Sequence, residues 1–207
     1  MLLHCLLVFF AAFSSLHSLV SAEVIRPFLR NPAYAAQVRI SPDGHTWTFA
    51  VMSTGYNRYS KDGSRKPLNF LEIDTVAKSV TVDTAMNGHD TTNGRLKMRE
   101  VVAECWRLAG LKPAQLREVI GTRISNTDMK AAMKDCRVGM NVGYEDSFSV
   151  AATDQDAAKK NCWNRLEKTI FSASIRGAIA NLAVGKKVVQ VKVVSSLHGD
   201  GVHYYFS

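Results

Sequence analysis

Three pairs of short runs in this chain alternate apolar and polar residues with a period of two, and turn-forming residues join the members of each pair. That pattern commits much of the chain to antiparallel hairpins. In the first, residues 37–40 and 45–52 flank Ser41-Pro42-Asp43-Gly44, with Pro at the second turn position and Asp-Gly behind it. In the second, Leu71 and Ile73 point one way while Glu72 and Asp74 point the other. Val80 and Val82 repeat this against Thr81 and Asp83, with the turn at 76–79. The third joins 187–197 to 202–206 through Gly199-Asp200-Gly201.

Helical spacing fills the middle. Val101, Val102, Cys105, Leu108 and Ala109 recur on one face of 95–109, and Gly110 stops that helix. Residues 113–120 read as a short second helix, with Pro113 in its first turn and Gly121 after it. Residues 128–136 read as a third, entered through Ser125-Asn126-Thr127. Strand character returns within 138–151, around Phe148 and Val150. A longer helix then starts from Thr153 as its cap, with Ala158, Cys162, Leu166 and Ile170 as its apolar stripe and a further turn or two within 175–184. Pro27 and Pro32 make 23–36 an irregular lead-in. This order predicts an α+β fold over 23–207, an antiparallel sheet of hairpins with several helices packed on one face.

Residues 1–22 stand apart. They hold no Lys, Arg, Asp or Glu, carry an apolar run at 5–13, and close on Val20-Ser21-Ala22. This is the pattern of a signal peptide cleaved before Glu23, so the protein is expected to be secreted. The run is shorter than the ~20 apolar residues a membrane span needs, so no membrane anchor is expected.

Charge and cysteine content narrow the partners. The chain has 26 Lys+Arg against 18 Asp+Glu, a formal net charge of +8. Such a balance favours acidic partners. Tyr56, Tyr59, Arg65 and Lys66 lie in a polar loop where cations alternate with rings, and they are the expected contact residues. Once Cys5 leaves with the signal, Cys105, Cys136 and Cys162 remain, enough for one internal disulfide in any of three pairings. Cys105-Trp106-Arg107-Leu108 echoes Cys162-Trp163-Asn164-Arg165-Leu166, and two helices docked side by side would join Cys105 to Cys162. The sequence holds no Gly-x-Ser-x-Gly elbow, no phosphate-binding glycine loop and no Cys-x-x-Cys pair. His198 and His203 across the last hairpin make a poor metal site, so no metal or cofactor is expected.

Two resemblances give these residues a function. Gly143-Tyr144-Glu145-Asp146-Ser147-Phe148 is similar to the Tyr-Glu strand of small secreted fungal ribonucleases of the guanyl-specific type. Leu197-His198-Gly199-Asp200-Gly201 is similar to their C-terminal histidine turn. That resemblance implies Glu145 as base, His198 as acid and Arg176 as phosphate clamp on RNA. The whole-chain profile resembles a secreted effector of a fungal plant pathogen, most like the cluster-encoded effectors of smut fungi. Residues 1–22, the small basic remainder and the few cysteines carry it. It implies a monomer that enters the host plant cytoplasm and binds a host protein, a protein kinase being one known kind of target, and alters its stability or activity. An apoplastic effector with an extracellular host target is the further alternative.

Overall fold

The computed structural model describes residues 24–29, 34–53, 69–83, 98–122, 124, 126–196 and 199–207. The proposed signal segment 1–22, the contact residues Tyr56, Tyr59, Arg65 and Lys66, and His198 all lie outside them.

The described residues form nine strands: β1 (Val24–Pro27), β2 (Tyr34–Ile40), β3 (Thr46–Ser53), β4 (Asn69–Asp74), β5 (Ser79–Asp83), β6 (Glu118–Thr122), β7 (Phe148–Ala151), β8 (Val188–Val194) and β9 (Gly201–Phe206). The same described residues form four α-helices: α1 (Met98–Leu108), α2 (Thr127–Met140), α3 (Ala157–Glu167) and α4 (Ile170–Ala178). All nine strands join one sheet in the order β1-β2-β3-β4-β5-β6-β9-β8-β7. Every neighbouring pair is antiparallel except β5–β6, which is parallel. This is an α+β protein with a mostly antiparallel sheet.

The three expected hairpins are present, and local chemistry closes them. In the β2–β3 turn the Asp43 carboxylate accepts from the Ser41 hydroxyl and from the His45 N–H, and Gly44 takes φ 75°. The Ser41 hydroxyl first, and the His45 N–H next, hold the Asp43 carboxyl below its ordinary range. In the β4–β5 turn Asp74 accepts from the N–H groups of Val76 and Ala77, both at 2.8 Å.

Two expectations change. Residues 113–120 are not a helix: Pro113–Gln115 is a single 3-10 turn, and β6 follows it directly. Val119, Ile120 and Thr122 are β-branched and favour the strand, and β6 then slots between β5 and β9. Nor is the whole lead-in irregular, since β1 pairs with β2 in spite of Pro27. The Phe28 N–H donates to the Tyr34 carbonyl, so the neighbouring Pro27–Ala35 pair is one whose amide positions face away from β2. A proline costs nothing there.

Both outer edges of the sheet are blunt. Pro27 removes an outward donor from β1. On β7 the outward N–H of Ala151 donates to the Asp154 carboxylate at 2.7 Å, and the Asp154 N–H returns a bond to the Ala151 carbonyl. These edges offer little ladder for another strand to join. Asp154 thus caps an edge, while Asp156, not Thr153, caps α3 by accepting from the Lys159 N–H at 2.9 Å.

One sheet face is buried from β2 across to β7, while β1 is exposed. Val38, Phe49, Leu71, Val82, Gly121, Val202, Val193 and Phe148 lie opposite one another strand by strand. So do Ile73, Val80, Val119, Tyr204, Val191 and Val150, and the side chains of both rows are buried. Against the row break at Gly121 sits α4. The Phe171 and Tyr204 rings stack with centroids 6.5 Å apart, and the Ser172 hydroxyl lies 2.7 Å from the Tyr204 hydroxyl. Ile170 is not in the α3 stripe; it opens α4 and is 68% exposed.

Gly121 is there because the Phe171 ring occupies its side-chain space. A Cβ at this position would lie 2.5 Å from Phe171 Cζ and 3.5 Å from Ile175 Cδ1. Gly121→Val should therefore destabilise the fold by about 1–3 kcal/mol, although valine favours strands. Urea unfolding of Gly121→Val, Phe171→Leu and the double variant checks this. The smaller ring should relieve part of the clash, and strictly additive effects would show that the two positions do not compete.

The structure also corrects the disulfide. Cys136 of α2 bonds Cys162 of α3, with Cα atoms 4.9 Å apart, while Cys105 is a buried free thiol. The pairing follows from helix neighbours: α3 lies against α2, and Arg165 of α3 also pairs with Asp135 of α2.

Candidate functional site

The other sheet face carries the chemistry. Arg39, Thr48, Glu72, Thr81, Ile120, His203, Lys192 and Ser149 lie in one register row across β2, β3, β4, β5, β6, β9, β8 and β7. In the next row Asp74, Ser79, Glu118, Tyr205 and Gln190 follow one another. Arg39, Glu72, Lys192 and Ser149 are exposed, Ser79 is buried, and the other residues of the two rows are half-buried. Strand alternation alone puts them there, because each is one residue out of step with the buried rows.

At the centre, Glu118 Oε1 lies 2.6 Å from His203 Nδ1, with the side chains 16% and 22% exposed. Glu118 sits directly opposite Tyr205, and His203 opposite Lys192. With Nδ1 held by a carboxylate, the ring has Nε2 left for an outside group. That nitrogen lies 3.8 Å from where a Cβ on Gly201 would be, so the missing side chain leaves room beside it. The arrangement can exchange a proton or make a charge-assisted hydrogen bond.

Burial first, and the Glu118 carboxylate second, push the Tyr205 hydroxyl up to about 12. The sign follows from linkage. An unfolded tyrosine ionises near 10.0, so the contribution of Tyr205 is complete below that pH and is lost as pH rises from there through about 12. Glu118→Gln should bring Tyr205 ionisation to lower pH but leave it above the ordinary value, because burial remains. Tyrosinate absorbance against pH in both proteins checks this, and an unmoved Tyr205 titration would remove Glu118 as a cause.

The residues implied by the ribonuclease resemblance fall elsewhere. Glu145 lies in an exposed turn ahead of β7 and not in a strand. Phe148, where β7 begins, pairs with Val193 near the end of β8. Arg176 is on α4, lines a cavity with Val188 at the start of β8, and bonds Glu167 Oε2 at 3.0 Å and the Glu167 carbonyl at 3.1 Å. The two ends of β8 are roughly 20 Å apart at ~3.3 Å per residue. The fold therefore does not bring Glu145 and Arg176 to one phosphate. Glu118 and Tyr205 were missed because a helix over 113–120 hides the strand that seats Glu118. The signal that could have found it is the run Val119-Ile120-Gly121-Thr122.

Among the described residues no group of three or more His, Cys, Asp or Glu is placed to hold a metal ion, and no helix is long and apolar enough to cross a membrane. No protein-family model matches this chain, and no curated protein and no solved structure matches it.

Proposed function

We propose that this chain is a secreted virulence effector that binds a host plant protein, a protein kinase being one candidate, through the polar face of its sheet. In this reading the helices cover the opposite face, and binding alters the stability or activity of the host protein. The single observation that carries it is the mixed charge of a face held in fixed register: Arg39 and Lys192 stand among Glu72, Asp74 and Glu118. A polyphosphate would meet carboxylates across the centre of such a face, whereas a protein surface can complement both signs. The test is cross-linked capture from host cells with the full chain and with Glu72→Lys/Lys192→Glu. One protein that co-purifies reciprocally with the natural chain and is lost from the charge-reversed, still folded variant supports the reading. Capture of RNA alone, released by salt, or equal capture by both chains defeats it.

A ribonuclease reading keeps one observation in its favour, the Glu118–His203 pair. Cleavage of single-stranded RNA that disappears in both Glu118→Gln and His203→Ala would replace the binding reading.

A further inference from the structure

On the helix side of the sheet, where α4 meets the start of β8 and the end of β9, lies a cavity of about 450 Å³. That is within the ~300–1,000 Å³ of ligand sites. Its apolar lining includes Ile179, Val188 and Phe206. The lining also carries three cationic side chains, Arg176, Lys186 and Lys187, and one acidic side chain, Glu167. Arg176 already holds Glu167 Oε2, and Lys186 donates to the Ser207 carbonyl at 3.3 Å. Glu167 Oε1 is fully buried without a hydrogen-bond partner, out of reach of a ligand, so the charge a ligand meets is that of the cations.

We propose that this cavity binds an acidic side chain of an extended peptide segment. The proposal deepens the binding-protein reading and rests on it for the class of ligand. Two requirements meet in such a segment: its carboxylate answers the excess of positive charge, and its flanking aliphatic groups cover the apolar lining. An inorganic anion would satisfy only the first requirement. A nucleotide would satisfy the charge but would find a mainly aliphatic lining in place of a stacking platform.

The test uses the full chain and three probes: a short capped peptide with a central Glu between Val and Leu, the same peptide with Gln, and adenosine monophosphate. Affinity is read by titration of backbone amide resonances. The Glu peptide should bind about tenfold more tightly than the Gln peptide, moving the resonances of Ile179 and Val188. Lys187→Glu, an exposed change that leaves the core untouched, should abolish that margin, and Lys186→Glu should reduce it. Equal affinities for the two peptides, tighter binding of the nucleotide at the same resonances, or an unchanged margin in Lys187→Glu would overturn the proposal. Peptides that fail to discriminate while the charged sheet face still captures a host protein would remove the cavity and leave the binding reading standing. Discriminating peptides without any captured partner would do the reverse.

Discussion

Removing the Cys136–Cys162 bond should lower stability by about 3–4 kcal/mol, the largest effect expected of any change considered for this protein. The two residues are 26 apart in sequence. The chain-entropy estimate for a loop of that length gives this magnitude. Little else can replace the link. The nearby Arg165–Asp135 ion pair spans the same two helices, but both side chains are half exposed, and such pairs contribute about 0–1 kcal/mol. Urea unfolding of the oxidised protein, the reduced protein and Cys136→Ala/Cys162→Ala checks the size. Midpoints that coincide would show that the bond does not restrain the unfolded chain. Cys105 gives an internal control. Its sulfur is buried, and burial pushes the thiol well above its ordinary range. It should resist alkylation until the protein unfolds, and peptide mapping should recover 136–162 and not 105–162.

The Cys-Trp echo in two helices suggests equivalent positions, yet the two tryptophans do different work. Trp106 is fully buried and donates its indole N–H to the Lys112 carbonyl at 2.9 Å, whereas Trp163 is only half-buried. Local similarity carries no information about which helices become neighbours. The same limit separates the legible parts of the fold from the rest. Each hairpin was readable because its pattern, its turn and its partner strand are close in sequence. β6 was not, because its partners β5 and β9 are distant and its only local cue is a short β-branched run after a proline turn. The candidate site inherits that blindness. Glu118, His203 and Tyr205 meet only if β6 is a strand beside β9, so His203 was visible as a hairpin histidine while its carboxylate was not.

Arg137→Ala should cost about 2–3 kcal/mol and loosen the turn that carries Glu145. Arg137 leaves the end of α2 with its side chain only 6% exposed. Its guanidinium donates to the Ser195 hydroxyl and to the Asp146 carbonyl, pairs with Asp200 at 3.7 Å, and lies 5.3 Å from the Phe148 ring centroid and 5.6 Å from that of Tyr144. One side chain thus ties a helix end, residues 143–147 and the β8–β9 connection together. Its removal leaves a void and several acceptors without their donor, but Asp200 is a quarter exposed and can regain water, which keeps the cost below the ~3–5 kcal/mol of a fully buried pair. Arg137 Nε is itself buried without a partner, so the native arrangement already bears a penalty there. Arg137→Met, which refills the volume without a charge, should therefore cost only about 1 kcal/mol. The asymmetric test is Asp200→Ala. A surface carboxylate would cost little to remove, but here the change strands a buried cation and should cost more than the usual 0–1 kcal/mol of an exposed pair. Urea midpoints order the three variants, and faster amide exchange at 143–147 in Arg137→Ala locates the loss. Equal midpoints for the alanine and methionine variants would mean that the void contributes nothing. A silent Asp200→Ala would mean that the guanidinium is held by its neutral acceptors alone.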